Sequence, residues 1–244
     1  MTLTSKISLL CIAAILLLLI VIVLFNYERL YVAIEQNRPG VQDKHYVQVF
    51  SEIYATDEWQ GGSGPGSNPQ NAAPYMTLLQ QYFYDPRFNV IVDLGCGDWQ
   101  IMRNIQIPDG KKYLGFDVVP SVIETNERQF TKSNVGFYHI TGLRAFKAKN
   151  ISGDLLIVKD VMQHWPFSEI EYFIMKILPN FKYALITNQY EINDPLHNRD
   201  MPMGPYHSLG LLGPPFNLRH ATPIMEYDGP DHKQVLLYVN PSLT

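Results

Sequence analysis

Three short apolar runs each reach an aspartate at or next to their carboxyl end. Val90-Ile91-Val92-Asp93-Leu94 stops at Gly95, Lys112-Tyr113-Leu114-Gly115-Phe116 leads into Asp117, and Asp154-Leu155-Leu156-Ile157-Val158-Lys159 leads into Asp160. Near-continuous runs of this length read as strands buried on both faces, which is the mark of a parallel sheet covered by helices. Helical patterns fall between and after them. Pro120 to Phe130 predicts one helix, and Phe167 to Leu178 another, with Ile170, Phe173, Ile174 and Ile177 on a single stripe. Tyr183–Thr187 and Gln234–Val239 add two further strands. Strands alternating with helices predict an α/β fold, a Rossmann-like doubly wound and mostly parallel sheet. Ligands of such sheets sit beyond the carboxyl ends of the strands. Asp93, Asp117 and Asp160 therefore mark the edge at which function is expected.

Composition removes several classes. Nineteen Lys and Arg against 23 Asp and Glu give a net charge of −4, so no global basic field draws the chain to nucleic acid. Two cysteines, Cys11 and Cys96, allow neither a disulfide framework nor a four-thiolate zinc site. A mean hydropathy of −0.08 argues against several membrane spans. The apolar residues are unevenly spread, however. Ile7 to Phe25 is 19 residues without a charge, roughly 28 Å as a helix at about 1.5 Å per residue, close to the thickness of a bilayer core. A cleaved leader would carry a shorter apolar stretch followed by small residues, whereas Asn26-Tyr27-Glu28-Arg29 follows here. The expected organisation is a single N-terminal transmembrane helix within residues 1–26, a stem over 27–45 containing Arg38-Pro39-Gly40, and one globular domain over 46–244. Lys6 before the span and Arg29 and Arg38 after it lean towards a cytoplasmic N-terminus, with the domain luminal or extracytoplasmic. The tripeptide Asn150-Ile151-Ser152 suits a lumen, while a free thiol at Cys96 points the other way.

The turn Gly95-Cys96-Gly97-Asp98 after the first strand allows a ligand to approach the backbone closely. Asp117, at the end of the next strand, is placed to accept the ribose hydroxyls of an adenosine cofactor. A dinucleotide would want a third glycine where Gln100 stands, and its pyrophosphate would meet Asp93 and Asp98. S-adenosylmethionine carries no phosphate and presents an ammonium group that carboxylates can hold. The acidic loop favours it.

The stretch Asp93-Leu94-Gly95-Cys96-Gly97-Asp98 resembles the first motif of class I S-adenosylmethionine-dependent methyltransferases. More closely, the chain resembles a subgroup associated with sugar and glycan O-methylation. The resemblance covers nearly all of residues 46–244. It is carried by Phe50, Ile53, Tyr54 and Trp59, by Ser63-Gly64-Pro65-Gly66-Ser67, by Cys96-Gly97-Asp98-Trp99, by Gly115-Phe116-Asp117-Val118-Val119, by Lys159 through His164, and by Pro214-Pro215-Phe216-Asn217. It implies S-adenosylmethionine as cofactor, held by Asp93, Gly95, Gly97, Asp98, Asp117 and Val118, with Ser63 and Gly64 in a lid near its methionine end. Many relatives carry Arg where Lys159 stands, and a Trp-Arg pair near Tyr206-His207; the latter change falls in the expected acceptor loop, so a different acceptor preference is expected from it.

Methyl transfer from a sulfonium needs a nucleophile about 3 Å from the methyl carbon, and a sugar hydroxyl needs a base to take its proton. His164 is the preferred base, its ordinary pKa near 6.5 suiting the task. A packing role beside Trp165-Pro166 is the plain alternative. Asp160 is expected to orient His164, to act as base itself, or to hold the cofactor. Residues 61–67 lack the Gly-Lys-Ser/Thr ending of a phosphate loop and read as a lid or a linker. Trp99 packs against either the cofactor or the core. In the long segment from Asn188 to Leu218, Asn193, Asp194, Tyr206 and His207 are expected to hydrogen-bond a sugar, with Phe216 and Tyr190 offering apolar faces. Asp160, Asp194, His197 and His207 are metal-capable, yet no tight ligand spacing supports a metal, and none is expected. The functional expectation is a membrane-anchored O-methyltransferase acting on a sugar, a glycan or another small hydroxyl acceptor. The alternatives are a small-molecule or lipid-linked methyltransferase, and a tethered binding protein without turnover.

Overall fold

The structure, a computed structural model, describes residues 41–244. The apolar run Ile7–Phe25 and most of the expected stem lie outside the described residues. Among the described residues no helix is long and apolar enough to cross a membrane. In chain order the elements are α1 (Val41–Thr56), α2 (Ala73–Tyr84), β1 (Val90–Leu94), β2 (Lys112–Asp117), α3 (Pro120–Phe130), β3 (Val135–His139), α4 (Leu143–Ala148), β4 (Gly153–Lys159), α5 (Phe167–Tyr172), β5 (Phe181–Gln189), β6 (Ala221–Asp228) and β7 (His232–Val239). The domain begins earlier than residue 46. Asp43, at the start of α1, is buried and accepts the amide of Ala145 in the first turn of α4 at 3.0 Å, so it belongs to the globular body.

The seven strands form one sheet in the order β3-β2-β1-β4-β5-β7-β6. β3 through β5 run parallel, and β7 pairs antiparallel with both β5 and β6. Period-two alternation divides the core between the two faces of this sheet. Val92, Leu156, Val158, Ile186 and Leu236 pack beneath α1, α4 and α5, while Ile91, Leu155, Ile157, Leu185 and Val235 pack against α2 and α3. Both faces are covered, which explains why β1, β4 and β5 read as continuous apolar runs.

Two strands and three helices escape the sequence reading: β3, β6, α1, α2 and α4. The helix expected over Phe167–Leu178 is regular only to Tyr172. It widens into a π-helical turn over Phe173–Ile177 and tightens again at Leu178–Asn180. Its stripe still faces inward, with Ile170, Phe173 and Ile177 fully buried. The order of strands reverses between β1 and β4, both of which carry their crossovers away from each other. That reversal opens a crevice at the carboxyl edge of the sheet.

Candidate functional site

A cavity enclosing about 750 Å³, its mouth included, occupies this crevice. Its size falls in the roughly 300–1,000 Å³ range of small-molecule pockets. Its floor is the glycine turn after β1, where Gly95 (φ 80°) and Gly97 (φ 53°) adopt left-handed conformations. A Cβ on Gly95 would lie 2.4 Å from a Val161 methyl group, and one on Gly97 would lie 2.2 Å from Ser63 Oγ. Only glycine fits at either position. The amides of Gly95 and Cys96 donate to the carbonyl of Phe116 at 2.8 and 3.0 Å, tying the turn to β2.

At one end of the cavity stands Asp117. Its carboxylate accepts the amides of Gly97 at 2.9 Å and Val119 at 3.0 Å. Burial pushes its pKa up, and these amide bonds oppose the shift. Val118, Ile140, Gly142 and Leu143 complete this end. They follow β2 and β3 and form a largely apolar slot beside one carboxylate.

At the other end are Asp160 and His164. Asp160 continues the ladder one residue beyond β4, its amide donating to Thr187 at 2.8 Å, and then turns into a left-handed conformation at φ 55°. Its carboxylate is gripped by Lys159 and by Lys233 of β7, the latter at 3.0 Å. Burial pushes the Asp160 carboxyl up, and the two lysines more than reverse this, holding it at about 2. Such a carboxylate is a poor proton acceptor, and it makes no bond to His164. Two of the roles expected of Asp160, base and orienter, are therefore corrected.

His164 is oriented instead by a loop carbonyl. Its Nδ1 lies 2.8 Å from the oxygen of Gly204, so Nδ1 carries the proton and Nε2 is left with a lone pair. Burial lowers its pKa to about 4, against the smaller upward pull of the Gly204 carbonyl. The imidazole is neutral at pH 7, and the value near 6.5 expected from sequence is replaced by a lower one. Trp59 lies tilted over the ring at 4.9 Å between centroids, and Phe50 meets it edge-on at 6.4 Å.

The roof is α1 together with residues 61–67. Tyr46, Phe50 and Tyr54 line the cavity from successive turns of α1. The Tyr46 hydroxyl donates to buried Glu169 at 2.7 Å, and Arg144 pairs with the same carboxylate, pinning α1 to α4 and α5. Residues 61–67 are clasped at both ends. Ser63 Oγ donates to Asp98 at 2.7 Å, and Gln100 donates to the carbonyl of Gly61 at 2.8 Å. At the far end Lys159 donates to the carbonyl of Gly66 at 2.9 Å.

The structure thus brings Gly95, Gly97, Asp117, Val118, Ser63, Asp160 and His164 around one cavity. Other expected site residues lie elsewhere. Asp93 faces the opposite side of the sheet, in step with Ile91, and accepts the Tyr113 hydroxyl. Asp98 serves as the clasp on Ser63, and Gly64 packs over Trp59 behind the lining, where an added Cβ would lie 3.3 Å from the Trp59 Cβ. Trp99 is a core residue among Tyr113, Phe130 and Phe137. None of Asn193, Asp194, Tyr206, His207 and Phe216 lines the cavity. Asp194 caps its own turn by accepting the Leu196 amide at 2.8 Å, Tyr206 is 44% exposed, and His207 and Phe216 both pack on Phe167. Asn193 is exposed in the same turn. The 188–218 segment is folded largely on itself, and its contact with the site is Gly204. Among the described residues no three His, Cys, Asp or Glu side chains converge on a metal position.

No protein-family model matches the chain, and no curated protein matches it. Solved structures do. The complex of DhpI with S-adenosylhomocysteine superposes with a TM-score of 0.56 at 11% identity, covering 82% of this chain and 97% of that one. Human N-acetylserotonin methyltransferase in complex with S-adenosylmethionine gives 0.50 at 15% identity over 78% of this chain. The fold is that of class I S-adenosylmethionine-dependent methyltransferases. This chain spans 58% of the length of the human enzyme. The N-terminal domain of EvdMO1, solved with S-adenosylhomocysteine and D-fucose, gives 0.50 at 12% identity over 70% of this chain and 83% of that one.

The residues present fit the cofactor those structures contain. A buried carboxylate beside an apolar slot suits a ribose and an adenine. The glycine turn between the two ends brings bare backbone to the cavity floor, and Asp160 supplies an anion at the far end.

Proposed function

We propose that this chain is an S-adenosylmethionine-dependent methyltransferase that methylates a hydroxyl group of a sugar or glycan while held at a membrane by residues 7–25. The observation that carries the catalytic part is the arrangement of His164. Its Nδ1 is committed to the Gly204 carbonyl, so its unprotonated Nε2 is the proton acceptor, in the same cavity as Asp117 and the glycine turn.

Asp117 would hold the ribose hydroxyls, with Val118, Ile140 and Leu143 around the adenine. When bound, S-adenosylmethionine supplies the electrophilic methyl group. The chain's own residues do the rest. Trp59, Phe50 and Tyr54 exclude water from the catalytic end and offer flat apolar faces against which an acceptor ring can be fixed. His164 Nε2 takes the hydroxyl proton as the new bond forms. With a pKa of about 4 the imidazole is a weak base but is unprotonated across the neutral range, so it is always ready to accept. Two considerations support a carbohydrate acceptor: the sequence resemblance and the aromatic lining. One structural neighbour was itself solved with D-fucose. The charge-free run Ile7–Phe25 supports the anchor, and the Lys6, Arg29 and Arg38 flanks support a luminal or extracytoplasmic domain.

The test is transfer of a labelled methyl group from S-adenosylmethionine to a panel of saccharides, with and without detergent. Label on a saccharide hydroxyl supports the reading. Label only on non-carbohydrate hydroxyls moves the acceptor to another small molecule, and cofactor binding without transfer to any acceptor leaves the tethered binding protein.

A further inference from the structure

Methyl transfer leaves the tripeptide Asn150-Ile151-Ser152 unused. It lies in the turn that joins α4 to β4. Asn150 has a structural reason to be there. Lys149 closes α4, and Asn150 follows it in a left-handed conformation at φ 50°, its amide donating to the carbonyl of Lys147 at 3.0 Å. After glycine, asparagine takes this position most readily. That need does not extend to Ser152, and it leaves the Asn150 side-chain amide idle. Both residues are exposed, while Ile151 between them packs on the core. Among the described residues neither the Asn150 side chain nor the Ser152 hydroxyl has a hydrogen-bond partner. The sequence spells one other triplet of this kind, Asn240-Pro241-Ser242, and it is the opposite case. Its central proline disqualifies it as an acceptor of N-linked sugar. Its asparagine is buried and donates to the carbonyls of Pro179 at 3.0 Å and Phe181 at 3.3 Å.

We propose that Asn150 carries an N-linked glycan. The inference rests on the luminal or extracytoplasmic placement proposed above and assigns a covalent modification to the domain so placed. The donor is an oligosaccharide joined through its reducing-end carbon to a lipid diphosphate. Asn150 Nδ2 forms a bond to that carbon, and the carbon's bond to the diphosphate oxygen breaks. The lipid diphosphate leaves with the bonding electrons, and Nδ2 gives up one of its two protons to a base of the transferase. The Ser152 hydroxyl completes the triplet that such a transferase reads. An attached glycan is bulky and must stay in solvent, and the fold allows this. The turn precedes β4, whereas the cavity lies beyond the carboxyl end of that strand. The seven residues of β4, at about 3.3 Å each, put roughly 20 Å between the two. The glycan therefore stands clear of the cavity.

The test is to make the full chain in animal cells and treat it with a glycosidase that cleaves the bond between asparagine and sugar. The wild type should shift down in apparent mass by a single step, with Asn150 converted to aspartate in its peptide mass spectrum. Ser152→Ala should lose the shift, and Ser152→Thr should keep it. Both variants leave Asn150 in its left-handed turn, so the contrast between them is not a folding effect. A shift that survives Ser152→Ala would put the glycan elsewhere and overturn the proposal. A reporter separates the proposal from the placement on which it rests. Gly110→Asn with Lys112→Thr, added to the Ser152→Ala chain, builds an acceptor triplet in another exposed turn, where a Cβ at position 110 meets nothing within 4 Å. Modification of the reporter but not of the wild-type Asn150 overturns the proposal and leaves the placement standing. Modification of neither removes the luminal placement, and the proposal with it.

Discussion

Asp93 and Asp160 belong to neighbouring parallel strands and are both cut off from water, yet their carboxyl groups are driven in opposite directions. Burial raises Asp93 to about 7, with the Tyr113 hydroxyl and, less strongly, the Lys159 charge opposing it. Burial also pushes the Asp160 carboxyl up, yet it is held at about 2, because Lys159 and Lys233 close on it from β4 and β7. Asp160, one residue past β4, is paired directly by both lysines, whereas Lys159 reaches Asp93 only as a more distant charge. The lesson extends to the whole cavity. Its β2 end offers a carboxylate held by backbone amides, with no lysine or arginine in its lining. Its β4 end concentrates the lysines, the neutral imidazole and the aromatic rings. The first arrangement suits holding a neutral, hydroxyl-bearing group, and the second suits a charged terminus and proton transfer.

If the ends divide binding from turnover in this way, substitutions should separate the two. The largest effect is expected at His164. His164→Ala should slow methyl transfer by roughly 10²–10⁴-fold, the usual range for a positioned base, while the dissociation constant for S-adenosylhomocysteine changes less than about 2-fold. The pH profile sharpens this test. A base whose pKa is lowered to about 4 stays unprotonated as pH falls through 6.5, so the acidic limb of the rate should appear well below that value. An acidic limb at 6.5 or above, or a cofactor affinity that falls with the rate, would break the comparison.

Next in size is Asp160→Asn, which leaves Lys159 and Lys233 buried without their anion. A loss of roughly 3–5 kcal/mol is expected. At about 2–4 °C per kcal/mol for a domain of this size, melting should fall by on the order of 10 °C. The linkage has a definite sign. Because the folded pKa is depressed, the stabilisation is present above about pH 4 and is lost as pH falls through 2. Asp117→Ala follows, with affinity for S-adenosylhomocysteine expected to drop on the order of 100-fold from two lost hydroxyl bonds. The Asp117→Asn variant, which retains one carbonyl acceptor, should lose less. Calorimetry with both variants would show whether the β2 end governs binding.

The parts of this architecture that were legible in the sequence are those buried on both faces. β1, β2, β4, β5 and β7 announce themselves as apolar runs because helices cover the sheet above and below them. β3 and β6 are the edge strands, and each lacks that signal for a physical reason. β3 alternates, burying Val135 and Phe137 while Tyr138 is 44% exposed. β6 is mostly exposed and contains Pro223, tolerated where no neighbour needs its amide. With β3 unread, Ile140 and Leu143 could not be placed in the cavity. A usable signal for the roof was present: Tyr46, Phe50 and Tyr54 recur every four residues, as do Tyr75, Leu79 and Phe83 in α2. The partner of Asp160 had no such signal. Lys233 reaches it only because β7 inserts antiparallel beside β5, a pairing of distant segments that no local pattern encodes. Asn193, Asp194, Tyr206 and His207 were chosen as polar groups in a long loop, yet that loop spends its polar groups on itself. Asn198, for example, bonds the carbonyls of Gly210 and Pro214.

The smallest effect is expected at Asp93, and it tests the comparison from its quieter side. A carboxyl group raised to about 7 is largely protonated at pH 5, where it already resembles the neutral amide of asparagine in shape and charge. Asp93→Asn should therefore change unfolding free energy at pH 5 by no more than about 1 kcal/mol, the scale of one adjusted hydrogen bond with Tyr113. The sign of the pH dependence is opposite to that of Asp160. With the folded pKa raised, the stability contributed by Asp93 is present below about pH 4 and is lost as pH rises through 7. Relative to the wild type, the asparagine variant should gain on going from pH 5 to pH 8, by at most about 1.4 kcal/mol per pH unit. Denaturant unfolding of both proteins at the two pH values measures it. A variant that loses stability equally at both would mean that Asp93 is ionised in the folded protein, held by a cation such as Lys159 after all, and the contrast between the two strand ends would collapse.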